Sequence, residues 1–429
     1  MSNNTAIRWR TKHWPRPAAR PPRQGDDPCA DSQHPPALLW EVAWDSDGAR
    51  HRDARYIPSV ELGLDRLPRE LTEALADQHS GFRTEAMFEP GTLLPDWRRD
   101  QVLTLPASRF DGRLPGLGVL VPRVGRFYPR RLLSGDGGTP PSGRVPFRVI
   151  GFDEERLTVD LNHPLAGKPL TLSAEIEPSP TNPWPGGGGL DLISALLDDG
   201  PGMQGRHEGL ATDFFDEDSF TRSDPSDDAG FYRQPRLVDH LDSTAISEIS
   251  ALYSRLIPPR ARILDLMSSW HSHLPTTLNA ESITGLGMNA DELARNTILT
   301  ERVVHDLNAE PRLPFGEERF DAVVCTVSVE YLTDPLAVFR ELGRVLAPDG
   351  VAIMTFSNRW FPPKVIRGWA LLHEFERAGL VLEYFHRSNR FQDCHTHSLR
   401  GRPRPANDTY AHRLPHSDPV HAVWAFRAG

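Results

Sequence analysis

From about residue 261 onward the apolar positions come in blocks rather than singly. ARILDL (Ala261 to Leu266) is a β-branched and aliphatic run ending in an acid and ITGLGMN (Ile283 to Asn289) a second apolar run, and both read as buried strands. VVHDLN (Val303 to Asn308), LPFGEERFDAVVC (Leu313 to Cys325) and VAIMTF (Val351 to Phe356) follow, with the helix-like DPLAVFRELGRVLAPDG (Asp334 to Gly350) before the last. Strands alternating with helices predict a parallel sheet. Ahead of them Ile246, Ile249, Leu252, Tyr253 and Leu256 recur at helical spacing, which predicts a helix leading into the first strand. Residues 179–230 are rich in Gly, Pro and acids and read as a flexible acidic linker, with one apolar island, LDLISALLDD (Leu190 to Asp199), fit for a short helix. Residues 1–36 are dominated by Pro and Arg and read as a disordered tail.

Composition narrows the class. A chain of 429 residues allows two to three domains. The net charge of −10, with no basic run interleaved with aromatics, argues against nucleic acid as a partner. Cys29, Cys325 and Cys394 are too few and too scattered for a disulfide framework, which suits a reducing compartment, and the cytoplasm is the expected location. No apolar stretch has the length of a signal peptide core or a membrane span, so no membrane association is expected.

FDAVVCTVSVEYLTDPLAVFRELGRVLAPDGVAIMTF resembles the fourth strand, following helix and fifth strand of class I (type 11) S-adenosylmethionine-dependent methyltransferases. The resemblance implies a doubly wound, Rossmann-like α/β domain over residues 231–429, with ligands in the crevice at the carboxyl ends of its strands. It also implies S-adenosylmethionine as cofactor. Asp265 then matches the strand-end acid of the first motif, and Asp306 the acid near the adenine amine. Where relatives place a glycine-rich turn this chain has Asp265-Leu266-Met267-Ser268-Ser269-Trp270-His271-Ser272-His273, leaving Ser268 and Ser269 as the small residues. Gly287 stands where an acid usually holds the ribose, and Asn289 is its polar substitute.

Upstream, FRVIGFDEERLTVDLNHPLAGKPLTLSAEIEP (Phe147 to Pro178) resembles the C-terminal end of a SlyD-like FKBP-type prolyl isomerase. LLWEVAWDSDG, LPRELTEALADQHSGFR and VLTLPASRF fit that family's opening strand, helix and inserted module. The resemblance implies an N-terminal α+β domain over residues 37–178, with an insert-in-flap β module at about 96–158, and unfolded or proline-containing peptides as partners. Prolyl isomerases desolvate a peptide bond among aromatic rings to lower a barrier of ~20 kcal/mol. Leu94-Pro95 and Leu172 occupy positions where the family has aromatics, and Glu70 stands for the glycine opening the helix. Asp53 falls near the acidic pocket position, while Trp40, Trp44, Tyr56 and Trp97 offer an apolar wall.

Remaining candidates carry a functional and a structural reading each. His271 and His273 suit ligand binding or backbone capping, and no metal is expected. Cys325 sits at a strand end that would face substrate, or is simply core. Glu330 would serve as general base only if burial raised its pKa; Tyr331 faces substrate or packs. Arg359 is a natural fork for an anionic substrate. In Cys394-His395-Thr396-His397 the mixed Cys and His could chelate, but His395 and His397 read as surface histidines, and Arg400, Arg402 and Arg404 read as solvated surface. Three functions remain open: methyl transfer to a small molecule or protein, peptide binding or isomerisation beside an inactive methyltransferase-like domain, and a scaffold with neither chemistry.

Overall fold

The dipeptide Asp47-Gly48 joins two alternating strands, β1 (Ala37–Ser46) and β2 (Ala49–Ile57), into a hairpin, with Gly48 at φ +76°. The computed structural model describes residues 35–114, 118–133, 146–178 and 189–429; the expected tail at 1–34 and the first ten residues of the expected linker lie outside them. After the hairpin come α1 (Arg69–Leu75) and β3 (Arg83–Phe88). The chain then runs through β4 (Val102–Pro106), β5 (Arg113–Leu114), β6 (Gly118–Val119), β7 (Phe127–Pro129), β8 (Pro146–Phe152) and β9 (Arg156–Asp160). It returns as β10 (Leu170–Glu177), which pairs antiparallel with both β1 and β3. Strands β4, β9, β8 and β7 form a separate small sheet with its own core of Tyr128, Phe147, Val149, Leu157 and Val159.

The described part of the expected linker, residues 189–230, is packed rather than extended. In α2 (Leu192–Leu197), Leu192, Leu196 and Leu197 share a core with Trp40, Trp44 and Leu172, and the Trp40 indole donates to the Leu192 carbonyl at 2.9 Å. The acids that follow, expected to lie in a flexible linker, meet cations from elsewhere. Arg123 lies 2.9 Å from Asp213 and 3.1 Å from Asp216. Lys364, fully buried, sits 3.1 Å from Asp224 and 3.2 Å from Asp228. Asp228 opens α3 (Asp228–Phe231) and also binds Arg222 through both carboxylate oxygens, at 2.8 and 2.7 Å. Composition counts the acids but cannot see cations that are distant in sequence.

The predicted helix is α4 (Ser243–Leu256), capped by Asp242, whose carboxylate accepts from the Thr244 and Ala245 amides. It covers one face of the sheet, where Tyr253 bonds Thr326 at 2.6 Å and Thr355 at 2.8 Å, and it does not reach over the crevice. Beyond it the elements are β11 (Arg262–Leu266), β12 (Ser282–Gly287), α5 (Ala290–Arg295), β13 (Glu301–Val304), β14 (Phe320–Thr326), α6 (Pro335–Val345) and β15 (Leu346–Phe356). Then follow α7 (Arg367–Ala370), α8 (Glu374–Ser388), β16 (Phe391–Arg400) and β17 (Val420–Arg427). Strands β13-β12-β11-β14-β15 are parallel in that order, and β17 is antiparallel to β15. The continuous apolar runs follow from burial on both faces. Leu264, Val323 and Met354 point toward α6 and α8, whereas Ile263, Val324 and Ile353 point toward α4. This is a doubly wound, Rossmann-like α/β fold.

β16 pairs parallel with β2, from Cys394 opposite Ala49 to Arg400 opposite Arg55, so both halves share one eleven-stranded sheet. His395, read as a surface histidine, is therefore a buried strand residue stacked on Trp424 at 5.1 Å, and Cys394 beside it is buried as well. Arg400, Arg402 and Arg404 are buried as well; Arg402 pairs with Glu177 and Glu248, and Arg404 with Asp242 and Asp418. Two further ion pairs cross the junction from α8: Arg126 to Glu376 at 2.9 Å and Arg206 to Glu383 at 2.7 Å.

Candidate functional site

Between β11 and β14 the strand order reverses direction, and loops leaving neighbouring strands to opposite sides open a crevice at their carboxyl ends. A cavity of about 130 Å³ lies there. Asp265, Ser268, Ser269, Asn289 and Asp306, the five residues expected around a cofactor, all line it, as do His271, His273 and Tyr331.

The turn after β11 manages without glycine by taking strain and fastening it with side chains. Met267 adopts φ +57° and His273 φ +54°, left-handed values that usually cost a non-glycine residue about 1 kcal/mol or more. Ser268 donates from its amide to the Leu286 carbonyl at 2.7 Å and from its hydroxyl to the Asp265 carboxylate. Asn296 donates to the Ser269 carbonyl at 3.0 Å and to the Ser272 hydroxyl at 2.7 Å. The Trp270 indole donates to the Val238 carbonyl at 3.2 Å. So folded, the turn lies on the end of β12: a Cβ on Gly287 would stand 2.1 Å from the Ser268 carbonyl oxygen. No acid fits at that position, which is the physical reason for glycine there.

Asn289 faces the cavity but its amide is already used. It caps α5 by accepting from the Asp291 and Glu292 amides, and it donates to the Tyr232 and Arg233 carbonyls. The carboxylate at this end of the crevice comes instead from Glu292, which accepts from the Ser269 hydroxyl at 2.6 Å and from the Arg236 amide at 2.7 Å. Asp306 holds the turn after β13, one oxygen accepting from the Asn308 and Ala309 amides. The opposite wall is Tyr232, Tyr331 and Phe361; the Tyr331 ring stacks on Phe361 at 6.0 Å, and its hydroxyl accepts from the Phe361 amide at 2.9 Å. Arg236 lies 5.1 Å from the Phe361 ring centre.

Burial dominates the electrostatics. It pushes the Asp265 carboxyl up to about 6 against the lowering by Ser268, and pushes the His273 imidazole down to about 4. The Tyr331 hydroxyl is raised well above its ordinary value, again by burial first and then by the charge of Glu330.

Other expected site residues stand elsewhere. Glu330 is fully buried and does not border the cavity, because the tight turn Val329–Tyr331 sends Tyr331 to the crevice and Glu330 into the core. Neither carboxylate oxygen has a hydrogen-bond partner, and burial raises the group to about 8. Cys325 points into the core beside α6 and α8, its thiol raised well above the ordinary range by burial. Arg359 forms an ion pair with Asp418 at 3.0 Å and lies 5.2 Å from the Tyr410 ring centre, outside the cavity lining. Asp53 is sealed in the junction between the halves, accepting from Gln204 at 3.1 Å and from Ser398 of β16. Burial pushes it up to about 6, and Ser398 only partly counters this.

Asp228, Tyr232, Arg236, Asp239, His240, Glu292 and Phe361 also line the crevice and were not singled out from the sequence. Only Glu292 carried a local signal, standing three residues after the helix-capping Asn289.

Residues 270–354 match the type 11 family of the methyltransferase domain. That match lies outside residues 37–178 and gives the FKBP-type expectation no support. No curated protein matches the sequence. Among solved structures, the chain is similar to the Haloferax volcanii complex between the Trm112 methyltransferase activator and a methyltransferase. The two are 13% identical over 43% of this chain and 90% of that one, with a TM-score of 0.33. It is also similar to an S-adenosylmethionine-dependent methyltransferase from Mesorhizobium loti, 17% identical over 41% and 96%, with a TM-score of 0.27. A third is a TehB-like methyltransferase from Corynebacterium glutamicum, 16% identical over 42% and 86%, with a TM-score of 0.28.

Proposed function

We propose that the chain is an S-adenosylmethionine-dependent methyltransferase acting on a small molecule or a protein side chain. The observation that carries this reading is the crevice at the strand switch point, which gathers Asp265, Ser268, Glu292 and Asp306 within a domain of methyltransferase type. The residues fit the cofactor by an altered route. Closure of the turn over Gly287 removes the usual place for a ribose carboxylate, and Glu292 brings one to the same cavity from the first turn of α5. Asp306 lines the same cavity, which supports its reading as the partner of an adenine amine, and the rings of Tyr232, Tyr331 and Phe361 border it as apolar surface. When bound, S-adenosylmethionine would supply an electrophilic methyl group. The protein's part is to orient the acceptor and exclude water.

Peptide binding by residues 37–178, whose hairpin, helix and inserted sheet suit an FKBP-type reading, is the weaker proposal. Trp40, Trp44 and Leu172 are closed over by α2 of the same chain, and Asp53 is sealed by Gln204 and Ser398. Among the described residues, no helix is long and apolar enough to cross a membrane.

Calorimetric titration of the full chain with S-adenosylmethionine and S-adenosylhomocysteine tests the proposal. Asp306→Asn keeps an oxygen for the Asn308 and Ala309 amides, and Glu292→Gln keeps one for Arg236. Each is expected to weaken binding by ~1.5–3 kcal/mol, the worth of a hydrogen bond to a charged group. No binding by the parent, or equal binding by both variants, overturns the reading.

A further inference from the structure

The turn that replaces the glycine loop carries two histidines, and the structure brings both against an acid from a different segment. The His271 and His273 rings are 4.3 Å apart, and His271 Nδ1 is 2.9 Å from the Asp239 carboxylate. One donor atom from each of the three lies within 4.8 Å of the other two. We infer that Asp239, His271 and His273 form a binding site for a divalent transition-metal ion at the lip of the crevice.

Three observations support the site. His273 is buried, and its Nδ1 has no hydrogen-bond partner, an arrangement that is unfavourable for a buried polar atom unless a ligand satisfies it. Its backbone is held at φ +54°, a left-handed value that leaves strain in the turn carrying this ring. The supporting segments are also fixed to one another before any ion arrives, since the Trp270 indole donates to the Val238 carbonyl beside Asp239. Metal–ligand bonds of ~2.0–2.2 Å place tetrahedral donor atoms about 3.4 Å apart. Closing onto an ion from 4.8 Å or less therefore asks for at most about 1.5 Å of movement, within reach of a rotation of the half-exposed His271 ring.

The donor set selects the ion. Two imidazoles and one carboxylate suit Zn²⁺, Co²⁺ or Fe²⁺, whereas Mg²⁺ and Ca²⁺ prefer all-oxygen shells. Three protein ligands leave coordination positions open, and all three residues line the crevice, so those positions face a ligand bound there. The chemical class that fits them is an anionic donor: a carboxylate, thiolate or ionised hydroxyl. His412, exposed and outside the crevice lining, serves as the control position.

The test uses the tag-free full chain, treated with chelator and titrated with Co²⁺ alone while visible absorption is followed, then with Zn²⁺ in competition and Mg²⁺ as comparison. No S-adenosylmethionine is present, so the result does not depend on the methyltransferase reading. The expected result is one equivalent of Co²⁺ with ligand-field bands, displaced by Zn²⁺ and not by Mg²⁺. His271→Ala and Asp239→Asn are changes at partly exposed positions that should leave the fold intact by circular dichroism; each is expected to weaken binding more than tenfold, and His412→Ala to leave it unchanged. Absence of ligand-field bands in the parent, or affinity unchanged in both His271→Ala and Asp239→Asn, overturns the site.

Discussion

Replacing Glu330 by Gln should make the protein more stable at alkaline pH, by an amount that grows with pH. Both carboxylate oxygens of Glu330 are buried without partners, and burial raises the group from its ordinary 4.5 to about 8. The sign follows from proton linkage. Below pH 4.5 the folded and unfolded forms are both protonated, and the group costs nothing electrostatically. Above that the unfolded chain releases the proton while the folded chain retains it, so stability falls by about 1.4 kcal/mol per pH unit until the folded group titrates near 8. The penalty relative to a neutral isostere is about 2 kcal/mol at pH 6 and about 4 kcal/mol at pH 8. Urea unfolding of parent and Glu330→Gln, followed by tryptophan fluorescence at both pH values, isolates the effect. Asp53 and Asp265, raised to about 6, and the buried histidines contribute equally to both proteins and cancel. The stability difference should shift in favour of Gln by about 2 kcal/mol between pH 6 and pH 8. A difference that stays constant would refute the reasoning, since it would mean that Glu330 ionises with ordinary ease in the folded protein. Affinity for a crevice ligand should be unchanged, because the side chain faces the core.

Further outcomes follow from the packing. Gly287→Ala puts a methyl group 2.1 Å from the Ser268 carbonyl, a backbone atom that cannot turn aside, so a loss of about 1–3 kcal/mol and weaker S-adenosylhomocysteine binding are expected; an unchanged melting temperature and affinity would show that the turn after β11 moves freely. Leu196→Ala should cost about 2–5 kcal/mol in chemical denaturation, as for a core leucine, whereas a value near zero would return α2 to the status of a linker. The pairing of β16 with β2 and the ion pairs from α8 predict one cooperative unfolding transition for the described body, with residues 189–230 resistant to limited proteolysis; two separated transitions would show that the halves are independent.

The parallel sheet was legible because strands buried on both faces must be apolar throughout, and the runs at Ala261 to Leu266, Phe320 to Cys325 and Val351 to Phe356 have no other economical use. Asp265 and Asp306 were expected in the crevice because the methyltransferase resemblance implies acids at those two strand ends, and both line the cavity. The direction taken by Glu330 and Cys325 was not legible, since a tight turn and the side of a strand decide whether a side chain reaches cavity or core. The acidic stretch 213–228 misled for a related reason: like charges close in sequence predict extension, but Arg123, Arg222 and Lys364 arrive only through tertiary contacts. His271 and His273 stood visibly on either side of Ser272, whereas Asp239 joins them only when the turn folds back on the segment before α4. The sequence by itself determined which segments could be strands and helices, through burial period and capping. Only the tertiary structure decided that β16 would lie beside β2, because strand pairing between distant segments depends on exposed backbone edges and matched register, which no local pattern encodes.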